Sequence, residues 1–353
     1  MNDFVRKYDV QWLRNSCLEL LTAAGAHETI ARDVTTSLIA TSLRGIDTHG
    51  LAMLPKILSR CEARRCQVQN PATIEIDNAE LPIAVIDARL TPGQHSCLVA
   101  SRIAKEKAKR FAVGIATVRN STHFGACTPY LFEILKEGFV AWVGSNSSQS
   151  MAAFGAEYPN LGNNPFGFGA PLKNGKQFIF DFSSAVMSFG KLANYKKQGI
   201  SAPLNSFIRP KNAPGKEEII YEIAGKLTEV ALPFGSFKGA SVAMIIEILS
   251  GVLSDGHFGS QTESINGGVF LGPSHFAFAI NPEFFFDSSE RFQELMQKYI
   301  DDVRCGDPDI RIPGDAADKI ESERIENGIP LADNLLVEFK KYSQKLNCSF
   351  TWD

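Results

Sequence analysis

Two histidines sit where an imidazole can exchange protons. The first lies in Leu43-Arg44-Gly45-Ile46-Asp47-Thr48-His49-Gly50-Leu51-Ala52-Met53-Leu54-Pro55, beside a hydroxyl and between glycines at a helix junction. An imidazole in that setting titrates near neutral pH and can serve as general acid or base. The second lies in Arg119-Asn120-Ser121-Thr122-His123-Phe124-Gly125-Ala126, after the strand-like run 113–118. Strand ends that present polar side chains and bare amides favour active sites. Three further clusters of this kind follow or precede apolar runs: Gly144-Ser145-Asn146-Ser147-Ser148-Gln149 with Gly162-Asn163-Asn164-Pro165, Asp181-Phe182-Ser183-Ser184-Ala185, and Gly235-Ser236-Phe237-Lys238-Gly239.

The elements that must carry these residues follow from periodicity. Helical apolar spacing marks 10–23, 28–43 and 51–64, with Gly45 stopping the second helix and Thr48 placed to cap the third, so that His49 falls in its first turn. The blander account makes Thr48 only a cap and His49 a half-buried polar residue. Strands are expected at 72–76 and 83–86 and an amphipathic helix at 94–110, after which strands and helices alternate as in an α/β layer. Asn174-Gly175 between runs 166–172 and 177–182 signals a type I′ hairpin, so the sheet is expected to be mixed. An apolar helix at 240–253, a late strand at 275–280 and helices at 288–300, 316–327 and 331–346 complete the pattern. Both ends are then helical, and the expected division is a discontinuous helical domain of 1–75 with 285–353 around an α/β domain of 76–284.

Five motifs occur in order: Thr-His-Gly with a proline six residues after the histidine, Arg-Asn-Ser-x-His-Phe-Gly, Gly-x-Asn-Pro, Asp181 with Ala185 and Gly190-Lys191, and Lys238-Gly239 before a helix ending Leu-Ser-Gly-Val-Leu. Together they resemble the malate/L-lactate dehydrogenase family of non-Rossmann type. That family also includes sulfolactate and ureidoglycolate dehydrogenases, diketogulonate reductase and cyclic imino acid reductases. The resemblance extends to Ile312-Pro313-Gly314-Asp315. It implies a mixed-sheet NAD(P)-binding domain, a discontinuous helical domain, a homodimer, and hydride transfer to or from a small 2-oxo or 2-hydroxy acid or a cyclic imine.

Hydride delivered to a C=O or C=N carbon leaves negative charge on the heteroatom, so a proton donor must stand within hydrogen-bond reach. His49 is the candidate, acid in reduction and base in oxidation. Thr48 would bind substrate or orient the ring, and Asp181 would fix the tautomer or else cap the following turn. His123 is a substrate-binding candidate or a core histidine at a strand end. No Gly-x-Gly-x-x-Gly and no P-loop occurs. The resemblance therefore supplies the cofactor, NADH or NADPH, and the residues that would hold it: Asn164, Asp181, Ser183, Ser184, Lys238, Gly239, Gly314 and Asp315.

Two departures bear on substrate. Met53 stands where the family places an arginine for the substrate carboxylate, and Asn163 where it commonly has threonine. A thioether cannot pair a carboxylate. Lys56, on nearly the same helical face as His49, would supply the charge or is simply solvated. A substrate without a carboxylate there, or a cofactor-binding protein that has lost turnover, remain alternatives.

Composition excludes other classes. With 353 residues, 44% of them hydrophobic and 21% charged, the chain is an ordinary globular protein long enough for two domains. A net charge of −3 with scattered basic residues points to neither nucleic acid nor membrane, and the run 105–110 reads as a solvated helix face. Seven cysteines without a Cys-x-x-Cys pair suit neither a disulfide framework nor a zinc site. Six dispersed histidines give no metal constellation, and Gly-x-Ser-x-Gly is absent, which disfavours a hydrolase. The N-terminus has no apolar signal region, so a reducing, cytoplasmic location is expected.

Overall fold

The computed structural model describes residues 6–188, 190–192, 195, 199–203, 206–208, 230–262 and 272–350, and structural statements below refer to these. Most of the Pro-, Lys- and Glu-rich stretch 201–232, and part of the family-like stretch after Ala185, lie outside the described residues.

The chain opens with β1 (Lys7–Tyr8), α1 (Val10–Ala23), α2 (Glu28–Leu43), a 3-10 turn (Leu51–Met53) and α3 (Leu54–Glu62). Asp9 caps α1 by accepting from Trp12 N. The α/β part contains β2 (Thr73–Asp77), β3 (Ile83–Asp87), α4 (Gly93–Phe111), β4 (Val113–Arg119), α5 (Thr128–Leu135), β5 (Val140–Ser145), β6 (Gln149–Met151), β7 (Leu161–Gly162), β8 (Phe166–Pro171) and β9 (Gln177–Phe182). After β10 (Phe207–Ile208) and β11 (Val230–Ala231) come α6 (Phe237–Glu247), β12 (His275–Ile280), α7 (Ser289–Arg304), α8 (Asp315–Asn327), β13 (Ile329–Pro330) and α9 (Asp333–Lys345). The expected apolar helix at 240–253 starts earlier and passes into a π-helical turn at Ile248–Val252.

The main sheet has seven strands in the order β2-β3-β4-β12-β5-β8-β9, and only β3 and β4 run parallel. The mixed sheet expected from the sequence is therefore present. Its turn at Lys173–Lys176 is type I′, with Asn174 at φ 59°, ψ 33° and Gly175 at φ 72°, closed by Lys176 N to Lys173 O at 3.2 Å. α4 and α5 cover one face, burying Ala100, Ala104 and Ala108 with Tyr130 and Ile134 against Ile86, Ala116, Val118 and Ala277. The small alanines let α4 approach closely: a Cβ on Gly114 would stand 1.9 Å from Ala104 O.

A second core joins Leu13, Leu20, Leu38 and Leu54 to Ile329, Leu336 and Phe339, and β1 pairs with β13. Both chain ends thus share one core. The segment 285–312, expected with the helical part, behaves otherwise: Ile300 and Ile312 pack on Leu172 and Phe178 at the sheet. Its apolar face matches the exposed edge of β8–β9 rather than the helical core.

Candidate active site

His49 owes its place to how α2 stops. Gly45, at φ +81°, lets the chain reverse, with Gly45 N donating to Ser42 O (3.1 Å) and Ile46 N to Thr41 O (3.2 Å). His49 and Gly50 then sit in a turn on Ile46 O, ahead of the helix rather than in its first turn. Thr48 is not the cap either, because Gly50 precedes the 3-10 turn and Ser42 Oγ takes the Leu51 amide at 2.9 Å. The Thr48 hydroxyl instead meets His49 Nδ1 at 2.9 Å. That bond turns His49 Nε2 away from the threonine.

The loop is anchored from far along the chain. Buried Arg44 donates to Asp318 (2.7 Å) and Glu321 (2.8 Å) of α8, and Arg324 Nη2 reaches Asp47 Oδ2 at 3.0 Å. These residues were not singled out in the sequence; their three-residue steps along α8 are visible only once its partner loop is known.

His123 stacks on His49 with ring centroids 5.6 Å apart and planes at 25°. Gly125 N donates to His123 Nδ1 at 3.2 Å, so the neutral ring carries its proton on Nε2. Burial, then His49, Arg60 and Lys56, push the His123 imidazole well below its ordinary pKa. Burial, then Lys56, lowers His49 too. His275 beneath them, bonded to Ser145 and Ser121 at 2.8 Å each, is pushed down to about 3 by burial.

The two histidines line a cavity of about 540 Å³, joined by Thr48, Met53, Lys56, Asn163, Asp181 and Ser183. Asp181 does not hold the histidine tautomer. Its Oδ2 accepts from Thr128 N (2.9 Å) and Thr128 Oγ1 (2.8 Å), tying β9 to the start of α5, while burial raises its pKa. Neither expected role is the one observed: Asp181 serves the start of α5 rather than a histidine or the turn that follows it.

The remaining cofactor candidates do not gather on the cavity. Ser184 is fully buried, with its amide on Asn163 O (2.8 Å) and its hydroxyl on Asn164 O (3.0 Å), so neither is open to phosphate. Asn164 is equally buried, giving its amide to Ala243 O (2.8 Å) and Glu247 Oε2 (2.7 Å) and accepting from Ser147 N. Glu247 also takes Asn146 Nδ2 (3.0 Å) and Gly259 N (2.9 Å), which explains a carboxylate in an apolar helix. Lys238 is exposed in the first turn of α6, and Gly239 is required for packing, since a Cβ there would lie 2.4 Å from Phe234 O. Gly314 precedes α8, and Asp315 is taken by Arg304 (2.7 Å) and Ile312 N (2.9 Å).

A dinucleotide needs sugar and phosphate partners. The lining offers Ser148 and Ser183, whose hydroxyls have no partner among the described residues, and the cations Lys56 and Arg65. The donor set suits such a group. Arg60 and Arg65 were missed in the sequence, although Met53, Lys56 and Arg60 recur at helical spacing.

A mixed, mostly antiparallel sheet of this order with paired imidazoles in its cleft defines a class by its fold, the α/β proteins of non-Rossmann type. The malate dehydrogenase of Entamoeba histolytica superposes with a TM-score of 0.88 at 24% identity, covering 98% of this chain and 99% of that one. The family model for malate/L-lactate dehydrogenase matches residues 8–340, and the chain belongs to that family. It is 26% identical to the malate/(S)-sulfolactate dehydrogenase of Methanothermus fervidus over 96% of this chain and 98% of that protein. It is 25% identical to the Δ1-pyrroline-2-carboxylate reductase of Ancylobacter novellus over 92% of this chain and 94% of that protein. The chain is accordingly a nicotinamide-dependent oxidoreductase.

Proposed function

We propose that the chain transfers hydride to or from a small 2-oxo or 2-hydroxy acid or a cyclic imine, using NADH or NADPH, with His49 as general acid/base. The stacked His49–His123 pair in the cavity carries this reading. Bound there, a nicotinamide supplies the hydride in reduction and takes it in oxidation. Thr48 accepts from His49 Nδ1–H and leaves Nε2 as the reactive nitrogen. In reduction Nε2–H gives its proton to the substrate oxygen or nitrogen; in oxidation the Nε2 lone pair takes it back. His123 Nε2–H donates a hydrogen bond to the same heteroatom and stays neutral. Ser183 and Ser148, which line the cavity, are the residues we assign to the cofactor. The intact Thr48–His49 pair favours turnover over a protein that only binds cofactor. Assays of NADH and NADPH oxidation against 2-oxo acids, cyclic imines and carboxylate-free ketones test the reading; no turnover on any of them would overturn it.

Thr48→Val is expected to lower kcat about tenfold through loss of the tautomer-fixing bond, with Thr48→Ser restoring most of it. Steady-state kinetics of the two variants check this.

The pH dependence follows from the lowered His49 pKa. Reduction needs His49 protonated, so kcat/KM for reduction is expected to fall about tenfold per unit above a pKa that lies below the ordinary histidine value. Oxidation, needing the neutral ring, holds its plateau above the same pKa. Lys56→Met removes a neighbouring positive charge and is expected to move both inflections to higher pH. An inflection that moves the other way refutes this electrostatic coupling.

We further assign a homodimer and a reducing cytoplasmic location. The sheet face opposite α4 and α5 carries the aromatic set Trp142, Phe166, Phe168, Phe180, Phe182 and Phe278, none of them fully buried. Phe182 also lines the cavity, so a second copy on this face would adjoin the site. All seven cysteines are free thiols, which suits a reducing compartment, and no helix among the described residues is long and apolar enough to cross a membrane. Sedimentation of the purified protein tests the dimer.

A further inference from the structure

The cavity wall built by α3 holds a positive charge that the steps above leave unused. His49, Met53, Lys56 and Arg60 are spaced four, three and four residues apart, and all line the cavity. Arg60 is half-buried, and its Nε is buried with no partner among the described residues. Burial pulls its pKa down, and the charged or titratable groups acting on it are Cys66, Arg65 and Cys61, with no carboxylate among them. Asp181, the carboxylate on the lining, is spent on Thr128. A guanidinium kept partly out of water without a counter-charge is costly, and its planar fork fits a carboxylate or sulfonate bidentately. Met53, only 4% exposed, offers an apolar surface between that fork and His49.

Resting on the role given to His49, we infer that Arg60 is the specificity residue that takes the substrate's acid group, and that this acid lies remote from the reacting carbon. Seven residues separate Met53 from Arg60, a rise of about 10 Å along a helix. The arginine side chain leans back toward the helix N-terminus and recovers roughly half of that. The acid is thus displaced by several bonds from the position an arginine at residue 53 would serve. Within the proposed reaction, the substrate class is an oxo or imino compound that carries a distal carboxylate or sulfonate, whether or not a second acid adjoins the reacting carbon.

Calorimetric titration of the enzyme saturated with nicotinamide cofactor tests this without requiring turnover. Wild type is expected to bind 5-oxohexanoate at least about tenfold more tightly than pyruvate or 2-hexanone. Arg60→Met should lose roughly 30-fold or more on 5-oxohexanoate alone, with cofactor affinity retained, and Arg60→Lys should recover part of it. Equal binding of the three ligands by wild type would overturn the inference. So would an Arg60→Met variant that weakens cofactor instead. Should Arg60→Met not fold, the loss of selectivity in Arg60→Lys carries the test. Turnover surviving in a His49 variant would sink the acid/base reading while leaving these affinities as they are.

Discussion

His49→Asn is expected to cut kcat by about a thousandfold while cofactor binding stays within about threefold. The size follows from what the ring does. An amide has no proton to give at neutral pH, so the developing oxyanion or amide nitrogen must find its proton in water. His123 does not replace the lost group: burial, together with its cationic neighbours, holds it neutral, and its Nδ1 is taken by Gly125 N. The Thr48 hydroxyl keeps a partner in the asparagine side chain, which protects the loop from collapse. Single-turnover reduction, monitored separately from cofactor titration, divides the chemical step from binding. A variant with near-normal rate would require another donor in the cavity.

Gly114→Ala is expected to cost about 3 kcal/mol of stability with the site residues untouched. The added methyl would meet Ala104 O at 1.9 Å and Ala108 N at 2.8 Å, both of them α4 backbone that has no rotamer in which to yield. α4 must then lift from β4, opening the contacts of Ala100, Ala104 and Ala108 with the sheet. The denaturant midpoint should fall at an unchanged slope, the signature of lost packing rather than an altered denatured state. A loss well under 1 kcal/mol would show that α4 slides on the sheet at little cost.

How much of this was legible differs by residue. The helices 10–23 and 28–43 were readable from their apolar spacing, and Gly45 marked the end of the second, whereas the Asp9 cap of the first emerged only in the structure. The hairpin at Asn174-Gly175 was readable from its local turn signal. His49 and His123 showed as candidates because each follows an element end, where side chains are free to face a cavity. Asp181 was placed correctly on its strand but given the wrong partner, since Thr128 is 53 residues away and nothing local names it. Ser184 and Asn164 look like phosphate ligands in one dimension; only the packing of the turn against α6 shows their polar atoms already taken. Arg60 recurs at helical spacing after Met53 and Lys56, one helical turn past the point where the sequence reading stopped. The grip of α8 on the loop 44–47 depends on chain topology and left no periodic trace.

That grip dictates an order of events during synthesis. The turn bearing His49 leaves the ribosome long before Asp318, Glu321 and Arg324, which fasten it from 274 to 277 residues further along the chain. The same delay applies to Ile329, Leu336 and Phe339, which close over Leu13, Leu20 and Leu38. A nascent chain therefore carries an uncovered greasy surface until the segment 315–342 has emerged, an interval in which exposed apolar side chains invite association with other chains.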